Sequence, residues 1–197
     1  MKKGLPLVIV AMISLIVLAA CGSSGDSATY KIGASQIVEH PSLDRAYEGF
    51  QAALDDAGLE VEYDYQSAQG DQNNLMPISD GFVADNVDLI FANSTPAAAS
   101  ALEATKDATD IPILFTSVTD AVASELVEAL DKPGENITGV MDLHPDAIKE
   151  TVTFIDTYFP DATVGLIYNA GETNSVAQIE AVQAAGEGTT LSFAEVR

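Results

Sequence analysis

An α/β fold, a doubly wound parallel sheet with helices on both faces, is what residues 30–197 predict, and two observations predict it. Short β-rich runs alternate with amphipathic helical stretches along the whole segment. No internal repeat, heptad or long low-complexity tract points to another architecture. Tyr30 to Ser35 reads as the first strand. Ser42 then stands as a helix cap, and Leu43, Ala46, Tyr47, Phe50, Leu54 and Ala57 fall on one face of the helix until Gly58 stops it. Strand-like runs recur at Glu60 to Tyr65, Val87 to Ala92, Ile111 to Thr116, Ile137 to Met141, Thr163 to Tyr168 and Thr189 to Val196. Helical stretches fill the intervals at 72–85, 96–107, 120–130, 145–158 and 174–186. The strongest break is Asp131-Lys132-Pro133-Gly134-Glu135-Asn136, a turn flanked by polar residues. A lobe boundary is expected there, with 30–136 as one lobe and 137–197 as part of a second, too short to close.

The first 21 residues have a different character. Lys2 and Lys3 precede a 16-residue apolar run from Leu5 to Ala20, interrupted by Pro6 and Ser14 and ending in Leu18-Ala19-Ala20-Cys21. A basic start, an apolar middle and small residues at the boundary describe an export leader, and the run falls short of the roughly 20 residues of a spanning helix. Cys21 is the sole cysteine, so it has no partner for an internal disulfide. Leu18 to Cys21 resembles a bacterial lipobox, which implies cleavage before Cys21 and a thioether lipid on its sulfur, with the outer face of the cell membrane, or a periplasm-facing surface, as the destination. Residues 22–29 read as a flexible tether.

Charge narrows the partners. Eight Lys and Arg against 30 Asp and Glu give a net charge of -22, and loss of Lys2 and Lys3 with the leader would make the remainder more negative still. A nucleic-acid backbone needs clustered cations and is not expected as a partner. No nucleophile elbow, phosphate-binding glycine loop, dinucleotide fingerprint or zinc-protease motif occurs, so neither an enzyme nor a cofactor is expected. The Asp142-Leu143-His144-Pro145-Asp146 run reads as a helix start rather than a metal site.

In an open α/β sheet, ligands sit beyond the carboxyl ends of the strands. The loops at those ends are polar: Ser35 to His40, Asn93 to Pro96, Thr116 to Asp120, Asp142 to His144 and Asn169 to Ser175. Hydroxyls and amide groups at helix starts can hold a carboxylate without Arg or Lys, and Asp120, Asp142 or Glu172 can take an ammonium. That combination suits a small zwitterion. The same residue types also cap helices where no ligand is bound, so each loop has two readings.

Five runs carry a family resemblance: Ile32 to Asp44, Thr95 to Ala98, Phe115 to Asp120, Lys132 to Val140 and Tyr168 to Gln178. They resemble, in order, the substrate-binding lipoproteins of ABC importers, in the branch that includes tryptophan and tyrosine binders. The resemblance implies a type I periplasmic-binding-protein fold, two α/β lobes that close on a ligand. It places Gln36 and His40 at the first lobe's edge of the cleft, with Ser94 and Thr95 on the ligand carboxylate. Thr116, Thr119 and Asp120 would line the next strand end, and Asn169, Glu172, Asn174 and Ser175 would close from the second lobe. Ala121 departs from the family, which has Pro there. The family also continues well past the counterpart of Arg197, which implies an incomplete second lobe. The expected function is delivery of an aromatic or other apolar amino acid to the permease of an ABC importer, from a lipid anchor on Cys21. A ligand-sensing module of the same fold and a secreted hydrolase are the rival readings, and no triad-like pattern supports the second.

Overall fold

The computed structural model describes residues 29–108, 110–144 and 146–196. Cys21, the leader and the tether up to Ala28 lie outside the described residues, as does Pro145. The elements run β1 (Thr29–Gln36), α1 (Pro41–Asp56), β2 (Glu60–Ser67), a 3-10 turn (Gln72–Asn74), α2 (Leu75–Ala84), β3 (Leu89–Asn93), α3 (Thr95–Thr105), β4 (Ile113–Val118) and β5 (Ile137–Met141). After these come α4 (Ala147–Tyr158), β6 (Thr163–Ile167), α5 (Thr173–Gly186) and β7 (Ser192–Val196).

The first lobe is a five-stranded parallel sheet in the order β2-β1-β3-β4-β5. Its two faces are set by alternation along the strands. Ile32, Ala34 and Phe91 face α1, where Phe50 stacks on Phe91 at 4.2 Å and Tyr47 packs against Tyr63 and Tyr65. Ile90, Ala92, Ile113 and Phe115 face the other way, onto Leu75 and Phe82 of α2 and Ala97, Ala98 and Ala101 of α3. Alanines in α3 bring that helix close to the sheet. At Gly33 the approach is closer still, since a Cβ there would fall 2.5 Å from the Phe82 ring.

Three expectations need correction. The first helix is capped by His40 rather than Ser42: Pro41 occupies the first helical position, where its missing N-H costs nothing, and His40 Nδ1 accepts from the Ser42 amide at 3.2 Å. Residues 120–130 form turns rather than a helix. Asp120 Oδ1 accepts from the amides of Val122 and Ala123, and Glu125 sits at φ 57°, a left-handed conformation that ends the first turn. Leu126 and Val127 then both donate to Ala121 O, which tucks Leu126 into the core. Finally, the first sheet extends past the Pro133-Gly134 break. Asn136 Nδ2 donates to Thr105 Oγ1 and Ile111 O, each at 2.9 Å, and this anchors the chain so that β5 pairs with β4. The change of sheet therefore comes between Met141 and Thr163.

Beyond it, β6 and β7 form a two-stranded parallel sheet carrying α4 and α5. Leu166 is buried, but Ile167 and Val196 are exposed, as are Phe154 and Tyr158 on α4. Asp156 Oδ1 ties α4 to the start of β7 by accepting from Thr190 N at 2.9 Å and Thr190 Oγ1 at 2.7 Å.

Candidate functional site

The strand order reverses between β1 and β3, so the chain leaves their carboxyl ends in opposite directions and a crevice opens there. Gln36 and Asn93 are register partners at this point. Asn93 Nδ2 donates to Gln36 Oε1 at 3.0 Å and to Leu43 O at 2.8 Å, while Asn93 Oδ1 accepts from Ser117 Oγ at 2.8 Å. Gln36 Nε2 donates in turn to Val38 O and Asp44 Oδ1. The network fastens three strand ends to the first turn of α1, and satisfied buried networks of this kind fix one geometry. Gln36, only 1% exposed, thus builds the floor of the crevice instead of opening into it.

Two backbone conformations shape the rim. Ser117 lies at φ 56° and makes the bulge through which Val118, rather than its neighbour, returns to pair with Met141. Ser94 lies at φ 153° and ψ 162°, a region that residues with a Cβ seldom enter, and it turns β3 directly into α3. Its hydroxyl accepts from Ala97 N at 3.3 Å, and its carbonyl accepts from Ala98 N. Ser94 therefore caps α3, whose positive end points into the crevice beside Thr95.

Across the crevice stands the start of α5. The preceding turn is self-contained: Asn169 Nδ2 donates to Glu172 Oε1, Asn169 Oδ1 accepts from Gly171 N, and Asn169 N donates to Ser175 Oγ. No side-chain bond caps α5 at Glu172. Between the two helix starts lies a cavity of about 200 Å³. Thr95, Pro96 and Ser100 of α3 line one side, Glu172, Thr173 and Asn174 the other, and Gln72 and Leu75 close the wall. Asn174, one of the lining residues, has a buried Oδ1 without a hydrogen-bond partner. Among the described residues no Lys or Arg lines the cavity.

Of the expected residues, the structure brings Thr95, Glu172 and Asn174 together around the cavity. Thr119 lies next to them, its amide donating to Thr95 Oγ1 at 3.5 Å. Thr116, half-buried in β4, pairs in register with Asn93. His40 is an exposed helix cap, Asp120 caps its own turn, and Asn169 and Ser175 hold the turn before α5. His144 Nδ1 accepts from Asp146 N, in keeping with a helix start. Among the described residues no cluster of three or more His, Cys, Asp or Glu could hold a metal ion. Gln72, Leu75 and Ser100 are additions. The first two follow β2, whose end also reaches this edge of the sheet, so the rule that singled out the other loops applies to theirs.

Residues 31–197 match the family model described as ABC transporter substrate binding protein. A tyrosine-binding protein of Clostridioides difficile is 40% identical over 92% of this chain and 56% of its own length. Among solved structures, a Streptococcus pneumoniae ABC domain in complex with L-Trp is 36% identical, with a TM-score of 0.75 over 86% of this chain and 58% of that one. The ligand-free, open structure of a Clostridium difficile substrate-binding protein with adhesive properties is 39% identical, with a TM-score of 0.62 over 85% and 57%. The chain thus spans a little over half the length of these relatives.

Proposed function

The chain belongs to the ABC transporter substrate-binding proteins and has their type I periplasmic-binding-protein fold, and from that premise we propose that it binds an aromatic amino acid between α3 and α5 for delivery to an ABC importer. The observation that carries the reading is the cavity between two helix starts. Positive dipole ends and the Thr95 hydroxyl suit a carboxylate, and the absence of Lys and Arg from the lining disfavours a phosphate or sulfate. Glu172 suits the ammonium, which offers three donors. An apolar flank of Leu75, Pro96 and Ala99 leaves room for a side chain. Relatives named for tyrosine and crystallised with L-Trp support an aromatic one. The better agreement with the L-Trp complex than with the open structure supports reading this arrangement as the closed one.

The proposed route to the membrane is the lipid on Cys21, with the tether spacing the binding domain from the outer surface. Calorimetric titration of the protein and of Thr95→Val with the twenty amino acids, sugars and nucleosides tests the binding site. L-Tyr or L-Trp should bind best. Thr95→Val should bind the preferred one roughly 10- to 100-fold more weakly, because a hydrogen bond to a charged group contributes about 1.5–3 kcal/mol. Preference for a sugar or nucleoside, or an unchanged Thr95→Val affinity, refutes this site.

A further inference from the structure

The turn at 119–126, in the stretch 120–130 where the local pattern predicts a helix, touches the ligand cavity only at its near end, through Thr119 N on Thr95 Oγ1, and reaches past it to α5. It is firmly built. Ala121 N donates to Met141 Sδ at the end of β5, Asp120 Oδ1 holds the amides of Val122 and Ala123, and Ser124 N donates to Asp120 O. From this platform Ser124 Oγ accepts from Thr173 Oγ1 at 3.4 Å, and Thr119 Oγ1 accepts from Gln178 Nε2 at 3.5 Å. Both bonds join the first lobe to α5 of the second. Ala123 also faces Val176 and Ala177 across a separate crevice of about 300 Å³. Ser124 and Gln178 do not line the cavity between α3 and α5.

We infer that Thr119 and Ser124 form a latch with α5 that holds the two lobes shut independently of the ligand, so that they set affinity by positioning rather than by contact. The inference deepens the binding-protein reading and rests on it. Bonds that cross from lobe to lobe exist only in the shut arrangement, and whatever favours that arrangement raises apparent affinity in proportion to its population. Neutral hydrogen bonds, each contributing modestly in water, bias such an equilibrium without locking it. A ligand can then still leave.

The test uses the full chain carrying Cys21→Ser, with spin labels on Asn73→Cys in the first lobe and Ala184→Cys in the second. Inter-label distances are measured by pulsed electron resonance without ligand and with L-Tyr or L-Trp. Ser124→Ala combined with Gln178→Leu should raise the open-to-closed ratio of the ligand-free protein about 4-fold, from two bonds at roughly 2-fold each. The thermal midpoint should hold, affinity should fall by no more than that factor, and Ser124→Thr, which keeps the hydroxyl, should behave as the parent. Ligand-free distances that match the parent's overturn the latch, whether or not affinity changes. A shift in the double variant that neither amino acid reverses supports the latch and refutes the choice of ligand.

Discussion

Gly33 lies where the Phe82 ring crosses β1, and its missing Cβ is the condition for α2 to pack on the sheet at that depth. Gly33→Ala should lower stability by about 1–3 kcal/mol, the usual cost of overpacking, read as a lower urea midpoint with an unchanged slope. Tyr47 offers a second test at this scale. Burial first, and then the neighbouring Tyr63 and Tyr65, push its phenol up to about 12. A value raised by folding means that the contribution to stability is whole below the ordinary tyrosine value of about 10 and is lost as pH rises through the folded one. Denaturation midpoints of the parent should fall between pH 10 and 12 by more than those of Tyr47→Phe. Equal falls in the two proteins would contradict this account of the aromatic cluster.

At the scale of elements, the second lobe depends on the link between α4 and β7. Hydrogen bonds from the Thr190 hydroxyl and amide hold the Asp156 carboxyl below its ordinary value. A lowered folded value contributes stability that is present above the unfolded value, about 4, and lost as pH falls through the folded one. The parent should therefore exceed Asp156→Asn in stability at neutral pH, and the gap should narrow in acid. A constant gap would show that the carboxylate charge has no part in the link. Helix positions were largely legible in the sequence: α1 lies close to where its apolar spacing and Gly58 put it, and α3 and α5 lie close to the helical stretches 96–107 and 174–186. The stretch at 120–130 was not legible as turns, because its composition favours a helix and only the side chain of Asp120 and the backbone at Glu125 break one. The Pro133-Gly134 turn resembled a lobe boundary for a related reason. What keeps β5 in the first sheet is Asn136 reaching 31 residues back to Thr105, a long-range bond that no local pattern displays.

For the whole molecule, the residues that touch the cavity were only partly foreseeable. The family resemblance singled out Thr95, Glu172 and Asn174, and each lies in a polar loop at a strand end. Gln36 and Asp120 have the same chemistry, but their polar atoms serve the scaffold, and only the fold separates the two roles. Cys21 and the tether complete the proposed route from ligand to membrane. Labelling cells with a radioactive fatty acid should mark the parent and leave Cys21→Ser unmarked, and equal labelling would remove the anchor from the account. The central claim is that the cleft between α3 and α5 recognises both charges of an amino acid. Equilibrium dialysis of L-tyrosine against tyramine, which lacks the carboxylate, and 3-(4-hydroxyphenyl)propionate, which lacks the ammonium, tests it most directly. Each analogue should bind at least 10-fold more weakly than L-tyrosine, since each leaves charge-specific groups of the site without their partner. Either analogue binding as tightly as the amino acid would contradict the claim.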